Sequence, residues 1–160
     1  MLKSIFEKLD KWIEQQNLEA QKEGFRPIKA CSFRVVGQTA LLEARLDIEI
    51  SATADVDAFT DAESSVVAKL SELLLREGLE YDQLSNEIWM PAETTYLDFY
   101  KGQWVTSLIA KSEFIMLSKA KMAFSKNKIL LRDYVASEPP PSFFVLCQKY
   151  GLDPTTILKA

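Results

Sequence analysis

Histidine is absent from this 160-residue chain, and cysteine occurs only twice. Without an imidazole there is no Ser-His-Asp or Cys-His nucleophile pair, no His-ligated zinc and no imidazole acid or base. Any catalysis must rest on carboxylates, lysines, hydroxyls or a bound ion. Cys31 and Cys147 stand far apart, among apolar residues and outside any CxxC spacing. That is the pattern of two buried thiols in a reducing compartment rather than of a disulfide framework. No stretch approaches the ~18 consecutive apolar residues of a membrane span. Within residues 1–10, Glu7 and Asp10 fall where a signal peptide would carry its apolar segment. The expectation is a soluble, cytoplasmic protein with no membrane partner. Nineteen basic against 23 acidic residues leave a net charge of -4, and a pI near 5.0 speaks against broad electrostatic attachment to nucleic acid while leaving a local basic face open.

What is present is enough for one domain over residues 1–160. Chains of this size bury roughly 68–70% of the surface exposed by the unfolded chain, so folding needs neither disulfide nor metal. Leu2, Ile5, Phe6, Leu9, Trp12 and Ile13 recur at helical spacing, predicting an N-terminal amphipathic helix within residues 1–24, closed by Gly24. Cys31-Ser32-Phe33-Arg34-Val35-Val36 has the composition of a strand that runs into Gly37, and residues 38–46 are strong helix formers. Residues 47–51 and 53–59 alternate polar and apolar side chains, the second run predicting a strand with Asp55 and Asp57 on one face. Asp61 is placed to cap a helix over about 62–77, with Val66, Val67, Leu70, Leu73 and Leu74 as its inner stripe. Strands are expected at 87–90, 95–100 and 104–109, then helices at about 113–124 and 127–136 with Ser112 as cap. A stiff spacer at Glu138-Pro139-Pro140-Pro141 precedes a short helical tail over 142–160. No repeat or low-complexity tract is visible, and the fold class expected is mixed α+β, a sheet flanked by helices.

Asp55 and Asp57 on one strand face can point at the same hard cation, a donor pair suited to Mg²⁺. A DxD pair also arises by chance, as two solvated edge charges. Asp98, the third candidate, lies among Tyr96, Leu97, Phe99 and Tyr100, so it is either an exposed edge position or has a cationic partner. Three carboxylates from neighbouring strands would hold two metal ions and a triphosphate, a chemistry that needs no histidine. Gly37 between strand and helix would let the backbone approach phosphates, although a lone glycine more often marks just a tight turn; Thr39 could add a hydroxyl and is equally at home as a first-turn residue. Lys119, Lys121, Lys126, Lys128 and Arg132 read either as a solvated face or as cations meeting polyphosphate. If they lie on one helix, Lys121, Ser125, Lys128 and Arg132 share a stripe. Tyr96, Tyr100 and Trp104 could stack a base or fill the core.

The succession Val35-Val36-Gly37-Gln38-Thr39-Ala40-Leu41, then Thr53-Ala54-Asp55-Val56-Asp57, then Asp98 in a strand, then a lysine-rich helical segment, resembles the DNA polymerase beta-like nucleotidyltransferase superfamily. Its minimal nucleotidyltransferase branch, with abortive-infection and toxin-antitoxin type enzymes, is the nearest likeness. It covers residues 30–136. The resemblance implies a phosphate-binding turn at Gly37, Gln38 and Thr39, metal ligands Asp55, Asp57 and Asp98, and nucleotide contacts from Lys119 or Lys121. The function implied is Mg²⁺-dependent transfer of a nucleoside monophosphate from an NTP to a hydroxyl of RNA or protein, with two ions. The chain departs from the family at Gln38, where Gly-Gly or Gly-Ser is usual, and at Glu49-Ile50-Ser51, where a basic residue commonly stands. Those departures suit an alternative, a decayed nucleotidyltransferase fold acting as a binding or toxin-antitoxin partner of another protein.

Overall fold

A sheet assembled around β1 places every element that matters for function. The computed structural model describes residues 1–82 and 88–159. Helix α1 (Leu2–Glu23) leads into β1 (Cys31–Val36), α2 (Gly37–Glu43), β2 (Asp55–Thr60), α3 (Ser64–Arg76) and β3 (Glu80–Asp82). Strands β4 (Tyr96–Lys101) and β5 (Val105–Ala110) follow, then α4 (Ser112–Met122), a 3₁₀ turn (Ser125–Asn127), α5 (Lys128–Ala136), α6 (Pro141–Lys149) and α7 (Pro154–Lys159). The fold class is α+β, with a mixed sheet in the order β3-β2-β1-β5-β4. β1 pairs antiparallel with β2 and parallel with β5; β2 and β3 run parallel, and β4 and β5 antiparallel.

Helices α1 and α3 cover one face of the sheet. Leu2, Ile5, Phe6, Leu9 and Ile13 turn inward from α1, and Phe6 packs at 5.4 Å on Phe33 of β1 and edge-on at 6.4 Å against Phe99 of β4. Phe6 and Phe33 are buried, and removing such a side chain from water stabilises by about 1.5–3 kcal/mol. Asp10 anchors α1 to the β4–β5 turn, its Oδ1 accepting the Trp104 and Val105 N–H groups at 2.7 Å. Because side chains alternate along β1 and β2, Phe33, Val35, Val56 and Ala58 pack inward while Asp55 and Asp57 take the other face. The buried side chains form one continuous core that reaches from Leu2 to Ile157. Among the described residues, no helix is long and apolar enough to cross a membrane.

Several local expectations are corrected. The alternation of polar and apolar side chains at 47–51 belongs to a loop, with Ile48 and Ile50 packed against the core. Asp61 does not cap α3, which starts at Ser64 after Glu63; its carboxylate instead accepts the Ser32 N–H at 2.7 Å. Ser112 opens α4 with Lys111 before it, and its hydroxyl meets that of Tyr134. Of the strand expected at 87–90, Glu87 lies outside the described residues and 88–90 has no regular structure. The 3₁₀ turn separates α4 from α5, so Lys121 and Arg132 do not share one helical stripe.

Candidate active site

The short strand β3 brings together what the sequence keeps apart. β2 is sandwiched between β1 and β3, and Asp57 stands opposite Val36 on one side and Asp82 on the other. The Asp57 and Asp82 carboxyls stand within hydrogen-bonding reach across the ladder, so that whichever is protonated would donate to the other. Partial burial, the Asp82 charge and hydrogen bond, and the Asp55 charge push the Asp57 carboxyl from 3.8 up to about 6, against a smaller opposing pull from Lys119. Burial lowers the Lys119 pKa while Asp57 raises it. Lys119 comes from the second half of α4.

Gly37 closes the site from the side of β1. Its φ of +71° is accessible without penalty only to glycine, and a Cβ built there would lie 2.6 Å from Asp57 Oδ2. The glycine therefore does two things, turning the chain from β1 into α2 and leaving room for a carboxylate. A cavity of about 330 Å³ opens at this point, and its lining includes Gly37, Asp55, Asp57, Lys119, Ile88 and Trp89. A second cavity of about 670 Å³ lies alongside, lined by Lys128, Glu49 and Asp133. The two share Gln38, Lys126 and Asn127 as lining residues.

Of the residues singled out from sequence, Asp55, Asp57, Gly37, Gln38 and Lys119 are drawn around one cavity. Three others are not. Asp98 is exposed on β4, paired with Leu108 of β5, and β5 and β1 stand between it and β2. Three strand spacings amount to about 14 Å, too far to share an ion with Asp57. Thr39 is 9% exposed and its Oγ1 donates to the Asp55 carbonyl at 2.7 Å, so it fixes α2 against the start of β2 instead of facing phosphate. Lys121 turns away from the cavity, its ammonium 5.6 Å from the Trp89 ring centroid and 6.0 Å from that of Tyr150. Gln38 lines the cavity but commits its Nε2 to the Ser51 carbonyl at 2.7 Å.

Asp82 is the residue that sequence reasoning missed. Its signal was present as the alternation Leu79-Glu80-Tyr81-Asp82 directly after Gly78, a period of two over too few residues to stand out. Tyr96, Tyr100 and Trp104 do not line the carboxylate cavity, whereas Trp89 does. Tyr96 instead packs on the Arg34 guanidinium, 5.6 Å from its centroid.

Among the described residues, no group of three or more His, Cys, Asp or Glu side chains is drawn close enough to hold a metal ion as it stands. The donor chemistry nevertheless fits a hard cation. The Asp82 and Asp55 charges crowd Asp57 and raise its proton affinity, and a divalent cation placed there would relieve the same repulsion. No family model, curated protein or solved structure matches the chain.

Proposed function

We propose that this cavity binds a Mg²⁺-nucleoside triphosphate and transfers the nucleoside monophosphate to a hydroxyl acceptor on RNA or protein. The observation that carries the reading is the Asp57–Asp82 pair beside Gly37, with Asp55 on the same strand face and Lys119 lining the same cavity. In this reading Asp55, Asp57 and Asp82 are the ligand set, with Asp82 in the place that the sequence assigned to Asp98. Mg²⁺ bound there would neutralise phosphate charge and favour ionisation of the acceptor hydroxyl.

The chain's own groups do the rest. The acceptor oxygen forms its bond to the α-phosphorus as pyrophosphate leaves, and its proton passes to a carboxylate of the Asp57–Asp82 pair. Gly37 leaves the turn open to phosphate oxygens, and Lys119, partly desolvated, balances their charge. Ile88, Trp89 and Met90 supply an apolar wall for the base. Two free, buried thiols agree with action in the cytoplasm.

The test is thermal unfolding with each NTP, with and without Mg²⁺. Ligand at a hundred times its Kd stabilises by about 2.7 kcal/mol, which raises the midpoint of a domain this size by about 5–10 °C. A Mg²⁺-dependent rise that disappears in Asp55→Asn supports the reading. No rise with any NTP, in a protein that melts cooperatively, overturns it. The alternative, a protein-binding relic of the same fold, is favoured by one observation: the Gln38 side chain is tied to Ser51 beside the turn.

A further inference from the structure

Ile88, Trp89 and Met90 line the same cavity as Asp55 and Asp57, yet they belong to no helix or strand. Neither a ladder nor a helical turn therefore holds that wall in place. The Trp89 carbonyl is satisfied by a side chain, accepting from Ser118 Oγ at 2.5 Å. The indole packs edge-on against Tyr150, with ring centroids 5.3 Å apart and planes at 78°. Lys121 lies over both rings. Four residues further along the same segment, Glu93 Oε1 accepts the Tyr150 hydroxyl at 2.5 Å, and Glu93 Oε2 accepts the Lys149 ammonium.

Tyr150 thus grips residues 88–95 at two points, by its ring at Trp89 and by its hydroxyl at Glu93. It follows directly after α6, and α6 is itself firmly seated. Phe143 and Cys147 are fully buried, and Phe143 packs at 5.1 Å on the buried Tyr134 of α5. Tyr150 itself does not line the cavity. A tail packed into the core is thereby coupled to an irregular wall, as a supporting shell requires.

We infer that Tyr150 is a positioning residue, through which the C-terminal helical tail sets the cavity wall at Trp89 and hence the affinity for nucleotide. The inference rests on the reading of the cavity as a nucleotide site. Its structural half can be measured without any nucleotide.

The experiment compares the full chain with Tyr150→Ala, Tyr150→Phe and Lys121→Gln. Acrylamide quenching of tryptophan emission is recorded for each, with and without Trp89→Phe, so that the Trp89 share is obtained by difference. Mg²⁺ with ATP, GTP, CTP or UTP is then titrated against each protein. Tyr150→Ala is expected to expose Trp89 and weaken nucleotide about tenfold, with Tyr150→Phe, which keeps the ring, restoring most of both. Lys121→Gln, which removes only the exposed ammonium, is expected to raise Trp89 quenching and weaken nucleotide about twofold, and it keeps the test open should Tyr150→Ala not fold. Unchanged quenching in the folded variants overturns the inference, as does altered quenching with unchanged affinity. Wild-type protein that binds no nucleotide overturns the reading of the cavity instead, and the grip on Trp89 then stands or falls on the quenching difference.

Discussion

Gly37 and Asp57 occupy the same space: the carboxylate of Asp57 fills the position where a side chain at residue 37 would begin, 2.6 Å from it. The turn and the acid are a matched pair, one residue having no Cβ because the other needs the room. Gly37→Ala should therefore act in two ways. The positive φ costs about 1–2 kcal/mol for any L-residue, lowering the midpoint by about 3–8 °C. The Asp57 carboxylate is also displaced from the position it holds beside the turn. Loss of Mg²⁺-NTP stabilisation beyond the thermal penalty, read by titration well below the midpoint, checks the second effect.

Asp57 makes stability depend on pH in an unusual direction. Its carboxyl titrates at about 6 in the folded chain against 3.8 for an unperturbed group, so the folded state holds the proton more tightly. The stabilisation is complete below about pH 4 and is lost as pH rises through about 6. Discounted for its partial exposure, the loss amounts to about 1–2 kcal/mol. In Asp57→Asn that pH dependence should vanish. The difference in midpoint between wild type and variant, followed from pH 4 to pH 7 without Mg²⁺, should move in favour of the variant by about 3–8 °C.

Asp82 and Asp98 separate two versions of the site. Asp82→Asn should abolish Mg²⁺-dependent stabilisation by NTP. Asp98→Asn, an exposed edge change on β4, should leave nucleotide titration unaltered and shift stability by no more than about 0.5 kcal/mol. Paired titrations decide it: the opposite ranking would return the third ligand to β4 and contradict the strand register.

Thr39→Val tests a support rather than a ligand. The change keeps the shape, removes the donor to the Asp55 carbonyl and should cost about 1 kcal/mol or somewhat more, seen as a midpoint lower by about 2–4 °C. Nucleotide affinity should fall by less than about tenfold; a loss as complete as in Asp55→Asn would place the hydroxyl on phosphate after all.

Much of the fold was legible because it is written in local pattern. The inward stripe of α1, the β-branched run of β1, the break at 125–127 and the alternation of β2 each depend on residues a few positions apart. β3 was not legible, since three residues carry too little periodicity, and Asp82 was lost with it.

What the amino-acid sequence by itself determined is the chemistry available: carboxylates without imidazole, two aspartates held two apart on one strand face, and a glycine where a strand turns into a helix. Which carboxylate joins Asp57, and which lysine faces it, only the tertiary structure decided. Strand order is a long-range property that no local spacing encodes, so it set β3 beside β2 and left β4 at the far edge, about 14 Å away. The rotation of α4 likewise separated Lys119, turned to Asp57, from Lys121, turned to Trp89 and Tyr150, because residues two apart on a helix point about 200° from one another.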